Sequence, residues 1–224
     1  MTSPPPSYRG YRFPADIISH AVWVYHRFGL SFREVEDLLA ERGVTVTYES
    51  IRQWCLTFGC EYARRLRRRR GRLGDTWHLD EVFVKIRGQP HYLWRAVDED
   101  GDVIDILVQS RRNRRAAERF FRKLLKGQGL EPRRLITDKL GSYAAAHRTA
   151  MPSVVHSTRQ YENNRAEVSH QPTRHRERQM RRFAVVHGVV QNLFRVGRHL
   201  LRAAHHRLLR MRAFAAWDAV TCAC

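Results

Sequence analysis

Cysteine is scarce and poorly spaced for chemistry. The four present, Cys55, Cys60, Cys222 and Cys224, form neither a CxxC pair nor a paired CxxC set. That argues against a structural zinc site and for free thiols in a reducing compartment. Long apolar runs are also missing. None approaches the roughly 20 residues needed to span a bilayer, and Met1-Thr-Ser-Pro-Pro-Pro6 lacks the basic-then-apolar layout of a signal peptide. The expectation is a cytoplasmic protein with no membrane partner and a disordered start over residues 1–12. Acidic residues are few, 22 against 41 Lys+Arg for a net charge of +19, so a polyanion is the first partner to consider. The acids are also unevenly placed: residues 76–164 hold 11 of the 22, whereas residues 165–224 hold 3 against 12 basic side chains. A cation site inside a basic protein belongs in the middle third.

What is present reads as helices, then strands, then helices. Pro14 opens a helical pattern that ends near Phe28-Gly29, with Ile17, Ile18, Ala21, Val22, Val24 and Tyr25 as its apolar faces. Ser31-Phe-Arg-Glu34 is a capping box for a second helix that stops at Gly43. Thr47 caps a third, with Ile51, Trp54 and Phe58 inward and Tyr48, Arg52 and Gln53 on a face able to meet DNA. Three short helices with a tight connection before the last fit a helix-turn-helix over residues 13–62. A basic run including Arg67, Arg68, Arg69 and Arg70 follows, suited to gripping phosphates without reading bases, and is expected to be a linker over residues 63–75.

Strand-like runs at Thr76–Arg87, His91–Asp98 and Asp102–Ser110, separated by turn residues, predict an antiparallel meander. Asn113 caps an amphipathic helix that stops at Gly127; a strand at Arg134–Thr137, a helix from Ser142, a strand at Val154–His156 and a helix from Asn164 follow. In this βββαβαβα order, right-handed crossovers let the fourth strand lie parallel to the first, on the side away from the hairpin. Asp80 and Asp138 then become neighbours. From Arg174 onward the chain is helical, basic and amphipathic.

Asp80 stands in the middle of an apolar, β-branched strand, where a carboxylate must reach solvent, find a partner or hold a metal. With Asp138 and Glu167 it makes a candidate set of oxygen ligands for Mg²⁺. Each also has a plainer reading: an edge-strand acid, a turn residue, and the second member of a capping box with Asn164. Glu81, next to Asp80, is expected on the opposite face and outside the ligand set. Asp98, Asp100 and Asp102 read as turn chemistry.

Trp77-His-Leu-Asp-Glu-Val-Phe-Val-Lys85, Tyr92-Leu-Trp-Arg-Ala-Val-Asp98, Thr137-Asp-Lys-Leu-Gly-Ser-Tyr143 and Asn163-Asn-Arg-Ala-Glu-Val-Ser-His-Gln-Pro-Thr-Arg174 together resemble insertion-sequence transposases of the DDE class, of the IS-six family. The resemblance implies a ribonuclease-H-like mixed five-stranded sheet flanked by helices over residues 76–210. It is preceded by the all-α helix-turn-helix domain and followed by a tail over residues 211–224. It implies Asp80, Asp138 and Glu167 as catalytic and metal-binding residues, two Mg²⁺ ions with Mn²⁺ as a substitute, and no other cofactor. The implied partners are DNA, as terminal inverted repeats and target, and further copies in a homodimer or higher oligomer, acting at a bacterial nucleoid. Lys139 and Arg174 are implied as DNA contacts, and His170 stands on the helical face of Glu167. One departure stands out. Arg182-Phe183 runs almost directly into Val185-Val-His-Gly188, where the family pattern carries a longer helix. A degenerate copy acting only as a DNA-binding protein is therefore the alternative to an active enzyme. A free nuclease fits less well, because it has no use for a sequence-reading module.

Overall fold

A computed structural model of the chain describes residues 6–69, 74–86, 88–159, 161–164, 166, 183–194 and 202–221. It divides into two compact units, Met1–Arg70 with Val185–Cys224, and Gly71–Ala184.

The first unit is helical. Helix α1 (Ala15–Phe28) ends on Gly29 in the left-handed conformation, at φ 78°. Helix α2 (Phe32–Ala40) carries the expected capping box, with both Ser31–Glu34 bonds formed. Helix α3 (Tyr48–Arg69) is longer than expected, and the basic run as far as Arg69 forms its last turns. Tyr62, Ala63 and Leu66 are buried between the arginines, and Glu61 pairs with Arg64 and Arg65, so the run has an apolar seam that keeps it helical. Gly59, in the middle of α3, marks a close approach: a β-carbon there would lie 3.3 Å from His26 Nε2 and 3.5 Å from Val186.

Two C-terminal helices complete this unit, α6 (Phe183–Phe194) and α7 (Ala203–Thr221). His187 Nδ1 donates to the His26 carbonyl at 2.8 Å and Gln191 Nε2 to that of Arg27 at 2.6 Å, so α6 satisfies carbonyls that the end of α1 leaves open. Trp23 meets Phe194 at 5.5 Å and Phe214 at 5.1 Å, and Trp217 meets Tyr62 at 5.3 Å. Residues 185–210, assigned from the sequence to the catalytic domain, thus group with the N-terminal helices, as does the tail. An amphipathic stripe fixes which face of a helix is buried but not which neighbour buries it.

The second unit is a five-stranded sheet in the order β3-β2-β1-β4-β5. Its strands are β1 (Thr76–Ile86), β2 (Gln89–Asp98), β3 (Val103–Gln109), β4 (Arg134–Thr137) and β5 (Val155–Ser157). The meander β1-β2-β3 is antiparallel, and β4 and β5 add in parallel on the far side of β1. Gly88 and Gly101 supply the left-handed turn positions, at φ 77° and 81°. The Asp98 carboxylate accepts from the amides of Asp100 and Asp102, as turn chemistry requires.

Helices α4 (Arg114–Gln128) and α5 (Gly141–Ala150) cover one face. Asn113 caps α4 by accepting from Ala116 N at 3.0 Å, and the helix runs through Gly127 to stop at Gly129. Trp77, Leu79, Trp94 and Leu135 pack there against Phe120, Phe121, Leu124 and Tyr143. The other face buries Val82, Val84, Leu93 and Ile106 with Ala166. This is the mixed five-stranded sheet flanked by helices, preceded in the sequence by an all-α region, that the resemblance implies.

Asn163 ties the chain after β5 back to β1, its Nδ2 donating to the Leu79 carbonyl at 2.9 Å in a buried setting. Replacing it with Ala leaves that carbonyl without its donor. Asn163→Ala is expected to lower unfolding stability by about 1–3 kcal/mol, read from urea denaturation midpoints at unchanged m-value.

Candidate metal centre

Sheet register assembles the centre. The parallel pairing of β1 with β4 runs from Thr76 opposite Arg134 to Leu79 opposite Thr137. One step further, Asp80 and Asp138 stand side by side where β4 ends. Asp80, Glu81 and Asp138 each offer a carboxylate oxygen, and the three oxygens lie within 4.8 Å of one another.

Strand alternation puts Glu81 outside this set; the structure keeps it on the opposite face of β1 yet brings its carboxylate oxygen into the cluster. Alternation does send Asp80 and Glu81 to opposite faces of β1. However, β4 stops at Thr137, so no paired strand separates the two faces beside residue 81. Asp138 sits in that opening, and both carboxylates reach it. Asp138 is itself held by a turn, with Oδ1 accepting from Leu140 N at 3.0 Å.

The Glu81 side chain is only 2% exposed. Burial is the main influence on its titration and pushes its pKa up to about 7; Asp138 and Asp80 add to the rise, while Tyr143 and Arg112 oppose it. Arg112 makes a close ion pair with Glu81, at 2.5 Å, yet the burial outweighs it. Tyr143 is fully buried beside Glu81, and desolvation followed by that neighbouring charge raises its pKa well above the ordinary phenol value. Neither Glu81 Oε2 nor the Tyr143 hydroxyl has a partner of good hydrogen-bond geometry.

An all-carboxylate donor set suits a hard divalent cation such as Mg²⁺ or Mn²⁺. Among the described residues this is the one group of three or more acidic, histidine or cysteine side chains close enough to share an ion.

The other expected residues are distributed as follows. Glu167, His170, Arg174 and Arg70 lie outside the described residues, as do Cys222 and Cys224. Their neighbours Asn163 and Ala166 are buried, Asn163 bonded to β1 and Ala166 packed on its second face. Lys139 is exposed, next to Asp138. Tyr48, Arg52 and Gln53 stand on the first turns of α3. The Arg33 guanidinium lies over the Tyr48 ring at 4.4 Å, and Glu49 accepts from both Arg52 and Gln53. Arg68 and Arg69 are exposed at the end of α3, with Arg67 half-buried.

Sequence reasoning missed Arg112 altogether. It precedes the α4 cap in Ser110-Arg-Arg-Asn113, and its partners come from β1 and the end of β4, so no local pattern marks it.

The raised Glu81 pKa has a signed consequence in metal-free protein. The folded state holds this proton more tightly than the unfolded chain does, so Glu81's contribution to stability is complete below about pH 4.5 and is lost as pH rises to about 7. Glu81→Gln is expected to flatten the fall in unfolding free energy across that window, measured by urea denaturation in the presence of a chelator.

Residues 74–196 match a family model described as a DDE domain. The chain is 31% identical over 172 residues to the transposase for insertion sequence-like element IS431mec of Staphylococcus aureus, spanning 73% of this chain and 75% of that protein. It is 30% identical, over the same shares, to the S. aureus transposase for insertion sequence element IS257 in transposon Tn4003. Among solved structures it is similar to the HTLV-2 integrase catalytic core domain in complex with magnesium, at 16% identity and a TM-score of 0.39, covering 67% of this chain and 87% of that one. With the family's domain matched over more than half its length and a relative aligned over three quarters of its own, the chain belongs to the insertion-sequence DDE transposases of the IS-six family.

Proposed function

We propose that the chain is a metal-dependent polynucleotidyl transferase that cuts strands at the ends of an insertion sequence and joins the freed 3′-hydroxyl to target DNA. The observation that carries this reading is the parallel β1–β4 register, which sets Asp80 beside Asp138 inside a cluster of carboxylate oxygens. Family membership supports the same chemistry.

Asp80, Asp138 and Glu167 would hold the Mg²⁺ ions, two in number, with Mn²⁺ as a substitute. When bound, such ions supply activation of an attacking oxygen and charge stabilisation of a departing one. The chain's own groups do the rest. In cleavage, a water attacks the scissile phosphorus, the bond to the 3′-oxygen breaks, and that oxygen leaves as a 3′-hydroxyl. In joining, this hydroxyl loses its proton and attacks a target phosphodiester; a new P–O3′ bond forms as the target's own 3′-oxygen departs and takes up a proton. The Asp80 and Asp138 carboxylates keep the reacting phosphate's surroundings oxygen-lined, and Lys139 beside them meets its negative charge.

The α3 face around Tyr48, Arg52 and Gln53 is assigned to base contacts at the terminal repeats. Glu49, bonded to both Arg52 and Gln53, sets their direction. Arg67, Arg68 and Arg69 are assigned to the backbone, where a row of guanidinium groups adds affinity without sequence preference. Two ends must be held together for joining, so the working form is a homodimer or a larger assembly.

The test uses the full chain with a DNA duplex ending in the element's own repeat. Strand cleavage and joining are expected with Mg²⁺ or Mn²⁺. Asp80→Asn, Asp138→Asn and Glu167→Gln should each lower the rate by at least about a hundredfold, roughly 3 kcal/mol of transition-state stabilisation, with end binding retained. Joining that survives in Asp80→Asn would refute the assignment. Replacing Arg67, Arg68 and Arg69 with Ala should reduce the salt dependence of DNA affinity by about 0.9 in slope for each phosphate no longer neutralised, and by similar amounts for repeat and unrelated DNA.

A further inference from the structure

The carboxylate cluster already has a cation beside it. Arg112 lies in the connection between β3 and α4, and a single guanidinium nitrogen, Nη2, stands 2.5 Å from Glu81 Oε1 and 3.6 Å from Asp138 Oδ2. A stabilising arginine–carboxylate pair ordinarily uses the planar fork, with two parallel N–H···O bonds to one partner. Here the shortest approach to both carboxylates is made by that one nitrogen, so the charge lies between two partners. Arg112 is not buried with its partner, since its side chain is 42% exposed against 2% for Glu81. It stands at the rim, with Arg111, Arg114 and Arg115 exposed along the same segment.

We propose that Arg112 is the resident counter-cation of the acidic centre and a contact to DNA phosphate. Its guanidinium spans Glu81 and Asp138 while no metal ion is bound, and metal binding displaces it to the DNA backbone. The inference rests on reading Asp80 and Asp138 as metal ligands.

The reasons are electrostatic. Three carboxylates with oxygens inside 4.8 Å repel one another and need positive charge between them. Arg112 supplies it without a metal. A divalent ion carries charge of the same sign as Arg112 and seeks the same Asp138 oxygens, so the two compete. Once displaced, a guanidinium on an exposed, arginine-rich segment finds an acceptor in a DNA phosphate. Arg112 therefore couples occupancy of the centre to engagement of DNA, and protects the carboxylates from mutual repulsion before either partner arrives.

Calorimetric titration of the full chain with Mn²⁺ alone tests the competition. Arg112→Gln is expected to bind Mn²⁺ about tenfold more tightly than wild type, and Arg112→Lys, which keeps the charge, within about twofold of it. If Arg112→Gln does not fold, Glu81→Gln with Arg112→Gln is compared with Glu81→Gln alone, where no buried charge is left unpaired, and the same tightening is expected. Salt titrations of DNA binding test the transfer. Arg112→Gln should reduce the slope by about 0.9 when Mn²⁺ is present and leave it unchanged in chelator. Equal or weaker Mn²⁺ binding by Arg112→Gln, or a slope lowered equally with and without Mn²⁺, overturns the inference alone. Wild-type protein that binds no more Mn²⁺ than Asp80→Asn overturns it together with the metal reading beneath it.

Discussion

The parallel pairing of β1 with β4 is the constraint on which the centre depends. Four residue pairs, Thr76 with Arg134 through Leu79 with Thr137, fix the axial position of one strand against the other. A slip of one residue would move Asp138 off Asp80 and turn Leu135 out of the core that it now shares with Trp77 and Leu79. The hydrophobic requirement and the chemical one are therefore met by the same register. Burying Leu135, Trp77 and Leu79 on the α4–α5 face leaves the acids at the open end of β4, where a sheet of this kind has room for a ligand. The shortness of β4 matters as much as its register, because its early stop lets Glu81 and Asp138 share one space.

The electrostatics of that space oppose those of the whole chain. The chain has nearly twice as many basic as acidic side chains, yet three acids converge within a few ångströms. Folding them together costs desolvation and mutual repulsion. Two features of the structure bear on that cost: burial pushes the Glu81 pKa up to about 7, and Arg112 stands between Glu81 and Asp138. A basic surround then favours the approach of a polyanion to a site that is itself acidic. That combination suits phosphodiester chemistry, in which the substrate is negative and the cation must be gathered first.

Much of this was legible in the sequence, for reasons that differ by element. The Ser31–Glu34 box, the Asn113 cap and the Asp98–Gly101 turn are local devices whose signals sit within a few residues, and all are present. The adjacency of Asp80 and Asp138 was legible because βββαβ with right-handed crossovers leaves the fourth strand only one good neighbour. The nearness of Glu81 to the cluster was not legible, because alternation along a strand says nothing of where the adjoining strand ends. Arg112 was invisible because its partners are contributed by β1 and by the turn after β4. The limits of the basic run were also misjudged. Arginines suggest a solvated linker, but Tyr62, Ala63 and Leu66 at helical spacing among them carry α3 to Arg69.

The helical unit shows a further consequence of non-local packing. Its two parts come from opposite ends of the chain, with the sheet unit inserted between them in the sequence. Helix α6 satisfies the carbonyls of His26 and Arg27 at the end of α1, and aromatic contacts from Phe194, Phe214 and Trp217 reach Trp23 and Tyr62. Val186 and His187, in the stretch where a departure from the family pattern is expected, are thus part of the packing that surrounds Gly59 and His26. That packing bears on the support of α1 and α3, and hence of the face that carries Tyr48, Arg52 and Gln53.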